Sequence, residues 1–160
     1  MARIGIFGGT FNPPHNGHLA VARAAVERLE LDSLLVVPAK TPPHKDVEDD
    51  PGAEVRFELC EQAFRGEPRV VVSRLELDRE GPSWTVDTLK EVVAEHPDCE
   101  LVLILGEDAA LSLPTWKDPE VITGLATIAW VARADGLARG DVGEVVRSLG
   151  APKEATLLPM

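Results

Sequence analysis

Short unbroken runs of branched aliphatic residues alternate along this chain with stretches whose apolar residues recur every three or four positions. Ile4–Phe7, Leu34–Val37, Val70–Leu77, Leu101–Leu105 and Ala126–Val131 read as strands. Continuous Val/Ile/Leu runs suit strands buried on both faces, which is the condition of a parallel sheet covered by helices. Between the runs, Leu19, Ala22, Val26 and Leu29 keep helical spacing. So do Val55, Leu59, Cys60, Ala63 and Phe64, and then Val86, Leu89 and Val93. Asp141–Leu149 is a further helix candidate, and Thr156–Leu158 a last short strand. This β-α alternation over 160 residues predicts a single α/β domain of three layers, a parallel sheet flanked by helices on both faces. Such sheets bind ligands beyond the carboxyl ends of their strands, where strand order reverses. The stretches to inspect are therefore Gly8–His18, Pro38–Lys45, Asp78–Thr85, Gly106–Lys117 and Arg133–Asp135.

Charge narrows the partners. A formal net charge of −11 argues against a nucleic-acid binder, which carries a basic face. It leaves room for a small phosphate ligand, provided the cations near it are locally concentrated. No apolar run approaches the roughly 20 residues of a membrane span. Met1-Ala2-Arg3-Ile4 leads straight into the first strand-like run, so no signal peptide is expected and the cytoplasm is the expected location. Cys60 and Cys99 lack metal-type spacing and are expected as free thiols. Self-association is left open.

The densest signal is "GGTFNPPHNGH", residues 8 to 18. Gly8 and Gly9 let backbone amides approach a bulky anion, and a helix beginning near Asn16 aims its free N–H groups at the same place. His15 and His18, three apart, can face one point. That pattern suits a phosphate held by amides and imidazoles. It also describes a Gly-Pro turn with two capping histidines, or a zinc pair whose third ligand is not near in sequence. Further on, His44-Lys45 follows a stiff Pro-Pro pair and can reach over a phosphate chain, or be solvated. In Gly81-Pro82-Ser83-Trp84-Thr85, Ser83 and Thr85 are helix N-cap candidates, and Trp84 is a large aromatic at the helix mouth. Gly106-Glu107-Asp108 closes a strand with a carboxylate able to accept from ribose hydroxyls or to hold a metal. Trp116 offers a stacking platform or a satellite core residue, and Arg133 a cation at the same sheet edge. There is no G-x-S-x-G, and neither cysteine lies at that edge. The pattern points to direct transfer between two bound substrates.

These motifs resemble a known family. "GGTFNPPHNGH" is similar to the H-x-G-H signature of the nucleotidyltransferase superfamily, whose fold is Rossmann-like. "VPAKTPPHK", "GPSWTVDTLKEV" and "LGEDAALSLPTWKDPEVI" resemble bacterial nicotinate-nucleotide adenylyltransferases. The resemblance implies adenylyl transfer from ATP, with Mg²⁺, to nicotinate mononucleotide. It implies that His15, His18 and Lys45 act in catalysis. Gly8, Gly9, Thr10, Phe11, His44, Gly106, Asp108 and Arg133 would bind ATP and its phosphates. Trp84, Thr85, Trp116 and Lys117 would bind the mononucleotide, with Trp116 stacked on the pyridine ring and amides near Thr85 and Lys117 on its carboxylate. Two positions depart from the pattern: Asn12 where Asp is frequent, and Lys117 where an aromatic is common. The resemblance also implies an S-S-T-x-I-R segment after the last strand. The sequence runs to Leu157-Leu158-Pro159-Met160, and the expectation is one nucleotidyltransferase domain over 1–160 without that segment.

Overall fold

The apolar runs become strands. The computed structural model describes residues 1–40 and 49–160, and its strands are β1 (Arg3–Gly9), β2 (Ser33–Pro38), β3 (Val70–Val72), β4 (Glu100–Gly106), β5 (Ala126–Val131) and β6 (Thr156–Leu157). They form one sheet in the order β3-β2-β1-β4-β5-β6, every neighbouring pair parallel. The helices are α1 (Asn16–Arg28), α2 (Ala53–Ala63), α3 (Thr85–Glu95), α4 (Glu107–Leu111), α5 (Pro119–Leu125) and α6 (Val142–Ser148). A 3₁₀ turn, Leu113–Thr115, follows α4.

Two apolar clusters make the three layers. On one face Ile4, Ile6, Leu103 and Leu105 pack with Val86, Leu89 and Val92 of α3, Ile122 of α5 and Val146 of α6. On the other, Leu34, Val36, Val102 and Ile104 pack with Ala22 and Ala25 of α1 and with Cys60 and Phe64. Neighbouring residues of β4 thus bury into opposite clusters, which is why its run is unbroken rather than alternating. At Gly5 the sheet and the Leu31–Leu34 segment approach so closely that a Cβ would lie 2.5 Å from Leu31 Cδ1.

Three sequence expectations are corrected. The strand expected over Val70–Leu77 ends at Val72: Ser73 N–H makes a last bond to Val36 O, and Ser73 Oγ then accepts from Leu75 N–H in a turn. Leu77 and Glu76 bury without staying in the sheet. In α2 the buried side is Arg56, Phe57 and Cys60, while Val55 is 42% exposed; the stripe is rotated by about one residue from the expected one. Asp108, expected at a strand end, lies in the first turn of α4.

The chain crosses from the β1–β2–β3 half of the sheet to the β4–β5–β6 half beside β1. The crevice that this reversal opens lies at the carboxyl ends of β1 and β4, where Gly8–Gly9 and Gly106 end their strands.

Candidate active site

After β1 the chain turns sharply. Phe11 adopts a left-handed backbone (φ 52°), which costs a non-glycine residue about 1 kcal/mol or more. The ring offsets this by burial: it is 3% exposed and meets Phe7, His18 and Phe64 edge-on, with centroids 5.5, 4.8 and 6.5 Å away. The Phe11 ring therefore belongs to the core and packs against His18.

His15 caps α1 with its imidazole. Gly17 N–H donates to His15 Nδ1 (3.0 Å), and His15 N–H donates to His18 Nδ1 (3.1 Å), a capping box built from two imidazoles. The rings stack 3.8 Å apart. Each Nδ1 accepts a backbone proton, so each neutral ring carries its own proton on Nε2. Burial, and secondarily the His15 charge, lower the His18 pKa to about 4. His18 is thus neutral at pH 7 and presents an Nε2–H donor without a positive charge. Gly17 leaves room for the His15 ring in this position: a Cβ there would stand 2.8 Å from His15 Cε1.

Beside this pair a cavity of about 270 Å³ opens at the reversal point. Gly8, Gly9 and Thr10 form one side, and Trp84, Thr85, Trp116 and Lys117 line it farther along, with Gly106 at the end of β4. Phe7 links the two parts, lining the cavity with its ring centroid 6.0 Å from that of His18. Trp116 Nε1 donates to Ser112 Oγ (2.9 Å), which fixes the indole. Lys117 Nζ stands 5.5 Å from the Trp84 ring centroid, within cation–π range. Lys117 is the one cation among the described lining residues.

The helix mouth differs from the cap expected there. Trp84 occupies the N-cap position of α3 and makes no side-chain cap bond. Ser83 Oγ instead accepts the Lys40 N–H (3.0 Å), tying the loop after β2 to the loop before α3. The N–H groups of the first turn of α3 open beside the cavity at Thr85. Asp108 and Arg133 lie farther out, joined in an ion pair, with Asp135 also on the guanidinium. His44 and Lys45 lie outside the described residues.

Two residues of this region have no counterpart in the sequence reading. Glu76 lines the cavity at 7% exposure and accepts from Thr88 Oγ1 (2.7 Å). Burial raises its pKa, and the bonds from Thr88 and Ser83 and the charge of Arg79 partly oppose the rise. Arg56 is wholly buried behind the phosphate-loop candidate. Arg56 lies four residues before Cys60 on the buried side of α2, but a charged residue at that spacing reads as solvated. Nothing marked Glu76 either.

Strand order, a glycine loop running into a histidine-capped helix, and an aromatic cavity across the reversal point define a parallel α/β protein of the Rossmann-like class. The chain belongs to the cytidylyltransferase-like family, whose model matches residues 6–154, and within it sides with the nicotinate-nucleotide adenylyltransferases. It is 51% identical over 131 residues to the "Probable nicotinate-nucleotide adenylyltransferase" of Thermus thermophilus, covering 82% of this chain and 69% of that one. It is 42% identical over 133 residues to the protein of the same name from Geobacillus thermodenitrificans, covering 83% of this chain and 62% of that one. The chain thus spans less than two thirds of the Geobacillus protein's length. The solved "Plasmodium falciparum nicotinic acid mononucleotide adenylyltransferase complexed with NaAD" superposes with a TM-score of 0.76 over all of this chain and 77% of that one. At 18% identity that likeness speaks for the fold.

Proposed function

We propose that this chain transfers the adenylyl group of ATP to nicotinate mononucleotide, releasing pyrophosphate and forming nicotinate adenine dinucleotide for NAD biosynthesis. The observation that carries the reading is the stacked pair of imidazoles, His15 and His18, each with its Nδ1 taken by a backbone N–H, set one aromatic ring away from a cavity that holds two indoles and a lysine. The cavity supports that class of acceptor. A pyridine ring suits the indole of Trp116, and a carboxylate suits Lys117 and the first-turn N–H groups of α3.

In the reaction a phosphate oxygen of the mononucleotide attacks the α-phosphorus of ATP. The bond from that phosphorus to the bridging oxygen breaks, and pyrophosphate leaves with the electron pair. Charge grows on the α-phosphate oxygens and the leaving pyrophosphate. His15 and His18 donate to it through Nε2–H, already oriented by their Nδ1 bonds, so no reorganisation is spent at the moment of transfer. The amides of Gly8, Gly9, Thr10 and Phe11 cradle the phosphates. Lys45 acts in catalysis and, with His44, holds the β- and γ-phosphates. Gly106 and Asp108 serve the ATP ribose, and Arg133 leaves its ion pair for a phosphate. Mg²⁺ arrives on the triphosphate as part of the substrate. Among the described residues no three His, Cys, Asp or Glu side chains gather into a metal-holding group. No helix among them is long and apolar enough to cross a membrane, and we place the reaction in the cytoplasm, by one nucleotidyltransferase domain.

The test is pyrophosphate release with Mg-ATP and three acceptors in parallel: nicotinate mononucleotide, its amide, and phosphopantetheine. The reading expects turnover with the nicotinate form well above the other two. Equal or better turnover with phosphopantetheine would reassign the substrate.

A further inference from the structure

Arg56 stands in the first turn of α2 with its side chain 0% exposed. A buried guanidinium is costly unless each of its donors is used. Here Nη1 donates to Thr10 O (2.8 Å) and Ala39 O (2.7 Å), Nε donates to Asp50 Oδ1 (2.9 Å), and Nη2 reaches Lys40 O (3.4 Å). Asp50 is held in turn by Gly52 N–H (2.9 Å). That bond, together with the Arg56 guanidinium, keeps its carboxyl below the ordinary range. One planar fork therefore gathers three separate pieces of chain: the end of the glycine loop after β1, the end of β2, and the turn before α2. A lysine could not replace it, since an ammonium is a compact point charge without the fork.

We propose that Arg56 is a positioning residue of the phosphate site, acting through the peptide planes it grips. This rests on the ATP-binding role given above to the glycine loop. In a trans peptide the C=O and N–H point in opposite directions. The effect is visible at Ala39: its carbonyl turns to Arg56, and the next N–H, that of Lys40, turns away to Ser83 Oγ. The same grip on Thr10 O turns the Phe11 N–H away from Arg56, toward the side where the loop meets phosphate. Phe11, the residue after the gripped peptide plane, has a left-handed backbone. Ala39 N–H on Gly9 O (2.9 Å) locks the two loops together from the other edge. The cation does not touch the nucleotide. It sets the direction of an amide that does.

The test compares the parent protein, Arg56→Lys and Asp50→Asn. The Lys variant keeps the charge and loses the fork; the Asn variant keeps Arg56 and loosens its anchor. Each is checked for native far-UV and near-UV circular dichroism. Affinity for Mg-ATP is then measured by calorimetry, alongside KM for ATP and for nicotinate mononucleotide. The expected result is ATP affinity weaker by about tenfold or more in Arg56→Lys and by less in Asp50→Asn, with KM for the mononucleotide within twofold. A merely structural role would lower the folded fraction and move both substrates alike. ATP affinity within twofold of the parent in a folded variant, or equal shifts for both substrates, overturns the proposal. If Arg56→Lys does not fold, Asp50→Asn decides by the same criteria. A parent that binds ATP without releasing pyrophosphate would overturn the transfer reaction and leave the ATP-affinity comparison as the test of Arg56. A parent that binds no ATP overturns both.

Discussion

Gly17→Ala separates what the glycine of the His-Asn-Gly-His turn does for folding from what it does for chemistry. The new Cβ would lie 2.8 Å from His15 Cε1 and 2.9 Å from Nδ1, a separation that real Cβ atoms do not tolerate. The atom in the way is the end of a side chain, so the imidazole swings aside and the backbone stays. That breaks the cap from Gly17 N–H to His15 Nδ1 and the stack on His18. Losing such a cap costs about 1 kcal/mol. Alanine for glycine near a helix start returns something under 1 kcal/mol. The two nearly cancel, so the midpoint of thermal unfolding should stay within roughly 3 °C of the parent. Turnover should not, because a donor displaced by about 1 Å costs on the order of 100-fold. The assay pairs a thermal melt with pyrophosphate release. Parent-like turnover in a variant shown to carry the alanine would refute the claim that the stacked, capped geometry is what the histidines need. A large loss of thermal stability would show that the cap, not the catalytic geometry, is the reason for the glycine.

Other expectations follow from the same geometry. The His18 pKa is depressed in the folded chain, so the unfolded chain binds the extra proton first as pH falls. Stability should therefore decline from about pH 6.5 down to about 4, and His18→Gln should flatten that decline in a pH series of thermal melts. His18→Ala should lower turnover roughly 100-fold at pH 7.5, and near-normal turnover would remove the imidazole from the mechanism. Trp116→Ala should raise KM for the mononucleotide about tenfold or more and leave KM for ATP within twofold, read by initial rates. Lys117→Met should narrow the preference for the nicotinate over the amide mononucleotide by roughly three- to tenfold, a modest figure because the ammonium is exposed.

How much could be read from the chain beforehand depended on how many signals converged at each residue. β1, β2, β4 and β5 were legible because unbroken aliphatic runs bury on both faces, whereas the order β3-β2-β1-β4-β5-β6 came only with the structure. The end of β3 was not. Val-Val-Val-Ser-Arg-Leu-Glu-Leu keeps a strand-like pattern to Leu77, yet Leu75 and Leu77 pack inward from a turn, and periodicity cannot tell the two apart. The short helices between Glu107 and Leu125 were unreadable for a similar reason: each is too short to show a period. At the site, the glycines, histidines and tryptophans announced themselves, because no ordinary turn needs that set. Arg56 and Glu76 did not. Charged residues are solvated by default, and only the tertiary structure shows that one grips three carbonyls and the other a buried hydroxyl.

The most direct measurement follows the phosphorus. ATP labelled at the α-phosphate, and in a second reaction at the γ-phosphate, is incubated with the protein, Mg²⁺ and nicotinate mononucleotide, and the products are separated. Adenylyl transfer puts the α label in nicotinate adenine dinucleotide and the γ label in pyrophosphate. Label from the γ-phosphate in the nucleotide product, or an α label that never leaves ATP while the protein binds both substrates, would contradict the account.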